Sequence, residues 1–258
     1  MGNRGSILTS ILAVLLVFLG SCASERPSGQ TEAEILYKEA QSLTKSGRYI
    51  LAIDKLNNLR SQYPYSFYAT AAELLNAEIL YKQHNYIEAA GAFISFYDDH
   101  PTHPQIPYVL WMIAESFTAQ NPSTSDRDLS TAVEANHFYR ELIRRFPQAE
   151  QVADAKKKME QNQKMLQDKA INIADFYYRT GKYGAALYRY QDVLFNFMGE
   201  EVRTHAIKRA VDCACRLKQK NTAQTIQQNY RDELSPANLK AVQEIYDKCV
   251  WADENKSK

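Results

Sequence analysis

His100 and His103 stand beside Asp98 and Asp99, residue types that could hold a divalent metal. Pro101 and Pro104 interleave them, so the segment reads as a turn and not as a helix face on which ligands converge. Three cysteines lie at 213, 215 and 249, without a CxxC or a Cys/His ligand spacing. Cys213 and Cys215, two apart on a predicted helix, point to different faces and do not easily bridge each other. The thiols read first as buried and free, with a bridge to Cys249 as the alternative in an oxidising compartment. The sequence has no HExxH, no GxSxG and no phosphate-binding glycine loop, and its Ser, His and Asp residues form no motif. The expectation is a chain with no catalytic residues, no metal and no cofactor. A balance of 31 Lys+Arg against 30 Asp+Glu leaves no basic footprint for nucleic acid. Lys156-Lys157-Lys158 reads as a solvated helix face.

Cys22 has a chemistry of its own. Residues 1–21 read as a signal peptide: Arg4 precedes an apolar run from Ile7 to Leu19, too short for the ~20 residues of a spanning helix. Leu19-Gly20-Ser21-Cys22 resembles the bacterial lipobox. That resemblance implies a thiol alkylated with diacylglycerol, cleavage before Cys22 and acylation of the new amine. Several chains on one residue make attachment effectively permanent, since each buried CH₂ contributes ~0.8 kcal/mol. Ala23 and Ser24 are not the acidic residues that retain many lipoproteins at the inner membrane. The same resemblance therefore implies the periplasmic face of the outer membrane. Residues 22–31 read as a lipidated, flexible tether.

The elements that would position any site are helical repeats. Gly47-Arg48-Tyr49-Ile50-Leu51-Ala52 leads to Pro64, and His84-Asn85-Tyr86-Ile87-Glu88-Ala89 leads to Pro101. Tyr49 to Tyr86 and Pro64 to Pro101 are both 37 residues, and within each unit a small residue, an aromatic and an alanine fall at the tetratricopeptide (TPR) spacing. Gly181-Lys182-Tyr183-Gly184-Ala185-Ala186 restates the pattern, with Met198 where a proline would fall. Small alanines let paired helices approach, the aromatic wedges between them, and proline stops the second helix. Glycine is too scarce for a fold of tight strand hairpins.

The expected fold is all-α: a TPR-type superhelix of about five helical hairpins (ten helices) over 32–234, then a C-terminal helical extension over 235–258. Pro101 to Pro147 is 46 residues, nine beyond the period. The surplus falls in the polar loop 120–128, where Asp126, Arg127 and Asp128 are candidate functional residues. From the repeat register, Tyr37, Gln41, Lys45, Glu78, Tyr81, Lys82, Tyr108, Trp111 and Glu115 face a concave surface. Aromatics with a few charges suit an extended or amphipathic peptide, and plain inter-helix packing is the alternative. Glu73 and Asn76 fall where core residues are expected, so the register is weakest in the second hairpin.

Tyr63-Pro64-Tyr65, Pro101-Thr102-His103-Pro104, Asp126-Arg127-Asp128 and Ala174-Asp175-Phe176-Tyr177-Tyr178 occur in an order that resembles the BamD (ComL) family of outer-membrane assembly lipoproteins. The resemblance runs from Cys22 to about residue 232 and leaves the segment from Pro236 without a counterpart. It implies a non-catalytic scaffold that binds the periplasmic domains of the β-barrel insertase BamA, joins accessory Bam lipoproteins and receives unfolded outer-membrane proteins. It also implies that Arg189, in Leu187-Tyr188-Arg189-Tyr190, faces BamA. A pilotin-like lipoprotein for secretins or an adaptor for peptidoglycan enzymes shares the lipobox and repeats, but not these motifs in this order.

Overall fold

A computed structural model describes residues 29–249 and Trp251. The expected signal peptide, Cys22 and most of the tether lie outside these residues, as does the chain after Trp251. The described residues hold eleven α-helices and no strand, in agreement with the all-α expectation of ten helices plus one. They form two compact units, residues up to Ala92 and residues from Phe93 onward.

In the first unit, α1 (Glu32–Lys45) starts at Thr31, whose hydroxyl accepts a hydrogen bond from the Glu34 amide. It packs antiparallel on α2 (Tyr49–Gln62), and α3 (Phe67–Lys82) lies against both. Leu36, Ala40, Ala52, Leu56, Leu59, Ala72 and Ile79 form the shared core. Buried side chains fall on several faces of α3, because it packs on two neighbours, and no single stripe marks it. Glu73 and Asn76 are half-buried at the edge of that packing, and Glu73 pairs with Arg60 at 3.2 Å. The helix α4 (Tyr86–Asp99) follows, divided between the units.

The second unit continues with α5 (Ile106–Thr118), α6 (Ser130–Arg145), α7 (Val152–Arg179), α8 (Tyr183–Asn196), α9 (Glu200–Arg216) and α10 (Lys220–Asn229). A 3-10 turn at Arg231–Glu233 leads to α11 (Pro236–Asp247). Neighbours in sequence pack together from α5 through α10, and α11 returns onto α9. Ser235 caps α11 and Pro236 opens it, as its missing N–H allows. The helix ends at Asp247.

One backbone device makes four of the hairpin turns. Gly47, His84, Gly181 and Lys218 each adopt positive φ, two residues before the next helix or its first residue's equivalent. Behind each, an amide reaches back five residues: Arg48 to the Leu43 carbonyl, Asn85 to Leu80, Lys182 to Tyr177 and Gln219 to Ala214. This satisfies helix-end carbonyls in the Schellman manner. The repeat alanines Ala52, Ala89, Ala135 and Ala186 are all fully buried, as close helix approach requires.

Candidate functional site

Arg189 sits on the outer face of α8, opposite the buried residues Ala186, Leu187, Tyr190 and Val193. Its guanidinium lies 5.7 Å from the Tyr188 ring centroid, and no carboxylate among the described residues lies within ion-pair distance. Tyr188 and Phe195, one heptad apart and thus on one face, are 66% and 85% exposed. Met198 follows them into solvent. An unpaired arginine beside exposed aromatics has the composition of an interface centre.

The first-helix residues divide between the units. In the first, α1 and α3 bring Tyr37, Gln41 and Glu78 together. Burial, and next the Glu78 charge, push the Tyr37 hydroxyl above its usual pKa. Tyr37 also meets Tyr68, with ring centroids 5.6 Å apart. Tyr81 packs edge-on against Tyr86, while Lys45 and Lys82 are exposed. In the second unit Trp111 lies against buried Tyr139, 5.6 Å between centroids. Tyr139 donates to Glu115, and Lys158 approaches the other Glu115 oxygen at 3.4 Å. Glu115 is therefore engaged by α6 and α7. Tyr108 is half-buried on α5.

The insertion loop is tied down. Asp128 accepts from the Ser130 amide and hydroxyl at the start of α6, a local turn that leads the loop into the helix. Hydrogen bonding from Ser130 holds its carboxyl below the usual range. Asp126 is held low as well, first by Thr124. The Lys169 ammonium donates to the Arg127 carbonyl at 2.6 Å. Behind the loop, Thr131, Asn121, Asn162 and Asn136 form a chain of side-chain hydrogen bonds reaching buried Asn162 on α7. A buried amide needs such partners.

Two features depart from the first sequence reading, one realising its alternative and one absent from it. Cys215 and Cys249 form a disulfide, with Cα atoms 5.4 Å apart, and Cys213 is the buried free thiol. This corrects the expectation of three free thiols. The helical return of α11 onto α9 brings the two cysteines together, a long-range event that spacing does not encode. The second is Arg203. Its guanidinium donates to the Leu194 and Phe197 carbonyls at the end of α8, and bidentately to Glu233 at 2.6 and 2.8 Å. Proline stops the earlier hairpins, but a side chain caps this one. The exposed Met198 at the proline position was its only trace in the sequence.

His100 and His103 pack around Phe96, with ring centroids 4.8 and 5.2 Å away. Among the described residues no group of three or more His, Cys, Asp or Glu side chains could hold a metal. No helix among them is long and apolar enough to cross a membrane.

The YfiO family, described as outer membrane lipoprotein, matches residues 29–231. An "Outer membrane protein assembly factor BamD" from Xylella fastidiosa (strain 9a5c) is 29% identical over 69% of this chain and 66% of its own length. The assembly factor of that name from Vibrio cholerae serotype O1 is also 29% identical, over 72% of this chain and 80% of its own. Thus the chain spans about two thirds of the Xylella relative's length. Among solved structures, a tetratricopeptide repeat protein from Parabacteroides merdae ATCC 43184 aligns at a TM-score of 0.39 and 16% identity, covering 84% of this chain and 86% of that one. The match over all five hairpins, with the helix order and turns that build them, makes this chain a member of the YfiO family of outer membrane lipoproteins.

Proposed function

We propose that the chain is a non-catalytic scaffold of outer-membrane protein assembly, held by acylated Cys22 on the periplasmic face of the outer membrane. It binds the periplasmic domains of a BamA-type insertase, with accessory Bam lipoproteins, and receives unfolded outer-membrane proteins. The observation that carries this reading is the family match over residues 29–231, which takes in every hairpin of the array.

The insertase contact centres on Arg189, flanked by exposed Tyr188 and Phe195 on the same helix. An arginine without an internal partner loses no ion pair when it meets a carboxylate on another protein. Truncating one partner of a desolvated interfacial pair costs about 2–5 kcal/mol. The half-buried tyrosines of α1 and α3 offer the first unit's surface for an aromatic-bearing peptide. In the second unit Glu115 is committed to Tyr139 and Lys158, and the half-buried Trp111 is the aromatic that lies beside them.

The test is affinity recovery from detergent-solubilised outer membranes, with a tag after Lys258. A BamA-type barrel should co-purify, and Arg189→Glu should reduce its recovery at least about tenfold. Undiminished recovery with the charge reversed removes Arg189 from the interface. Recovery of a secretin or a cell-wall hydrolase with no barrel insertase overturns the function.

A further inference from the structure

The turn between α2 and α3 reads Gln62-Tyr63-Pro64-Tyr65-Ser66-Phe67-Tyr68-Ala69, four aromatic residues and no charge. Tyr65 is 101% and Phe67 76% exposed, whereas Tyr68 turns inward onto Tyr37. A folded chain gains nothing internal from two aromatic rings in water. They belong to the surface of something else.

Their place in the first unit selects the partner. Gly29 packs against Glu34 and Ile35 at the start of α1. Tyr68 meets Tyr37 in the first turns of α1, and the Phe67 ring lies 5.7 Å from that of Tyr68. The aromatic turn and the point where the chain leads back toward Cys22 therefore share one end of the unit. Seven residues separate Gly29 from Cys22, a reach of at most about 25 Å. Exposed Ile50 and Leu51 lie beside the Gly47 turn at the other end of α1, farther by the roughly 21 Å length of its 14 residues. A lipid on Cys22 thus joins the unit at its aromatic end and not at its Gly47 end. Tyrosine and phenylalanine without neighbouring charge suit the headgroup region, where a ring is buried while a hydroxyl stays wet.

We propose that the Tyr65–Phe67 turn is a second membrane contact, seated in the headgroup region of the leaflet that holds the N-terminal lipid. This rests on the lipid-anchor reading. A single point of attachment does not by itself fix a protein's orientation beneath the surface. A second contact fixes which end of the array faces the bilayer, and so how its hairpins are presented to a membrane-embedded partner.

The experiment separates this contact from the anchor. The chain from residue 23 to Lys258 carries a histidine tag in place of Cys22, bound to phosphatidylglycerol-containing vesicles through nickel-chelating lipid. Phe67→Trp and, separately, Ile50→Trp are compared with the parent, whose Trp111 and Trp251 supply the background. The acyl chains are brominated near the glycerol. Emission from the Phe67→Trp indole should shift to shorter wavelength and be quenched, while that from Ile50→Trp stays unchanged. Equal quenching of both, or of neither, overturns the proposal. So does a Phe67→Trp signal that responds to an unfolded barrel peptide and not to vesicles, which assigns the turn to peptide binding. The mass of Cys22 peptides from cells reports separately on acylation, so the anchor and the turn stand or fall apart.

Discussion

Removing the Cys215–Cys249 bridge should release the C-terminal helix and little else. The bond closes a loop of 34 residues, for which the chain-entropy account gives about 4 kcal/mol of stabilisation. The noncovalent hold on α11 is modest. Val242 is its one fully buried apolar residue, and Ile245, Tyr246 and Trp251 are only partly covered against the core. A 12-residue helix is also marginal by itself in water. Burying a valine contributes about 2 kcal/mol and each half-covered neighbour up to a comparable amount, so the cross-link is a large share of what holds the segment. Cys215→Ser/Cys249→Ser avoids leaving a lone thiol, and hydrogen exchange followed by mass spectrometry reads each helix. Amides of α11 should lose up to roughly 500-fold protection, the equivalent of that free energy. Those of α8, and of α9 at Ala206–Ala214, should keep theirs. Undiminished protection in α11 would refute the argument, and loss spread across α9 would show that the bridge stabilises the hairpin and not the tail. Thiol counting supplies a check on the starting state. Burial pushes the Cys213 thiol up to about 12, so the native protein without reductant should resist alkylation at all three positions.

Three further outcomes follow from the same geometry. Arg203→Met should cost about 2–3 kcal/mol in urea unfolding, because it strands the Leu194 and Phe197 carbonyls as well as Glu233. Lys218→Gly should raise stability by about 0.5–1 kcal/mol in the same assay, since a left-handed backbone strains a lysine and not a glycine. Burial opposes ionisation of Asp175, but hydrogen bonds from His205 and Tyr190 outweigh it and hold the carboxyl below its ordinary 3.8. A lowered carboxylate adds stability above the unfolded value, and that stability is lost as pH falls through the folded one. The stability difference between the parent and Asp175→Asn should thus be constant near neutrality and shrink below about pH 4.

The helical order was legible because repeat spacing states it directly. The 37-residue recurrence of Tyr and Ala placed α2 and α4. What stayed hidden depends on residues far apart in sequence. Arg203 reaches Glu233 across 30 residues, Lys169 reaches the loop across 42, and Cys215 meets Cys249 only because α11 doubles back. Asp126-Arg127-Asp128 looked like a displayed motif. Its turn and hydrogen bonds are local, but their partners lie in α6 and α7, so its role at the start of α6 appears only once the loop has docked. Glu115 illustrates the limit of register arguments: its helix face was assigned, yet Tyr139 and Lys158 had already claimed its oxygens.

The long helix α7 has a mechanical consequence. Its 28 residues make a rod of about 42 Å without a turn. About 15 Å in from its start Asn162 is bonded to Asn136 of α6, and near its end Asp175 is bonded to Tyr190 of α8 and His205 of α9. Two successive hairpins thus share one stiff member where a repeat array ordinarily has a joint. A tilt of about 5° at Asn162 moves Asp175, about 20 Å along the rod, by about 1.7 Å, enough to break a hydrogen bond. The helix therefore behaves as a lever between the insertion loop and the Arg189 face, and a load applied to either is delivered to the other with no hinge to absorb it.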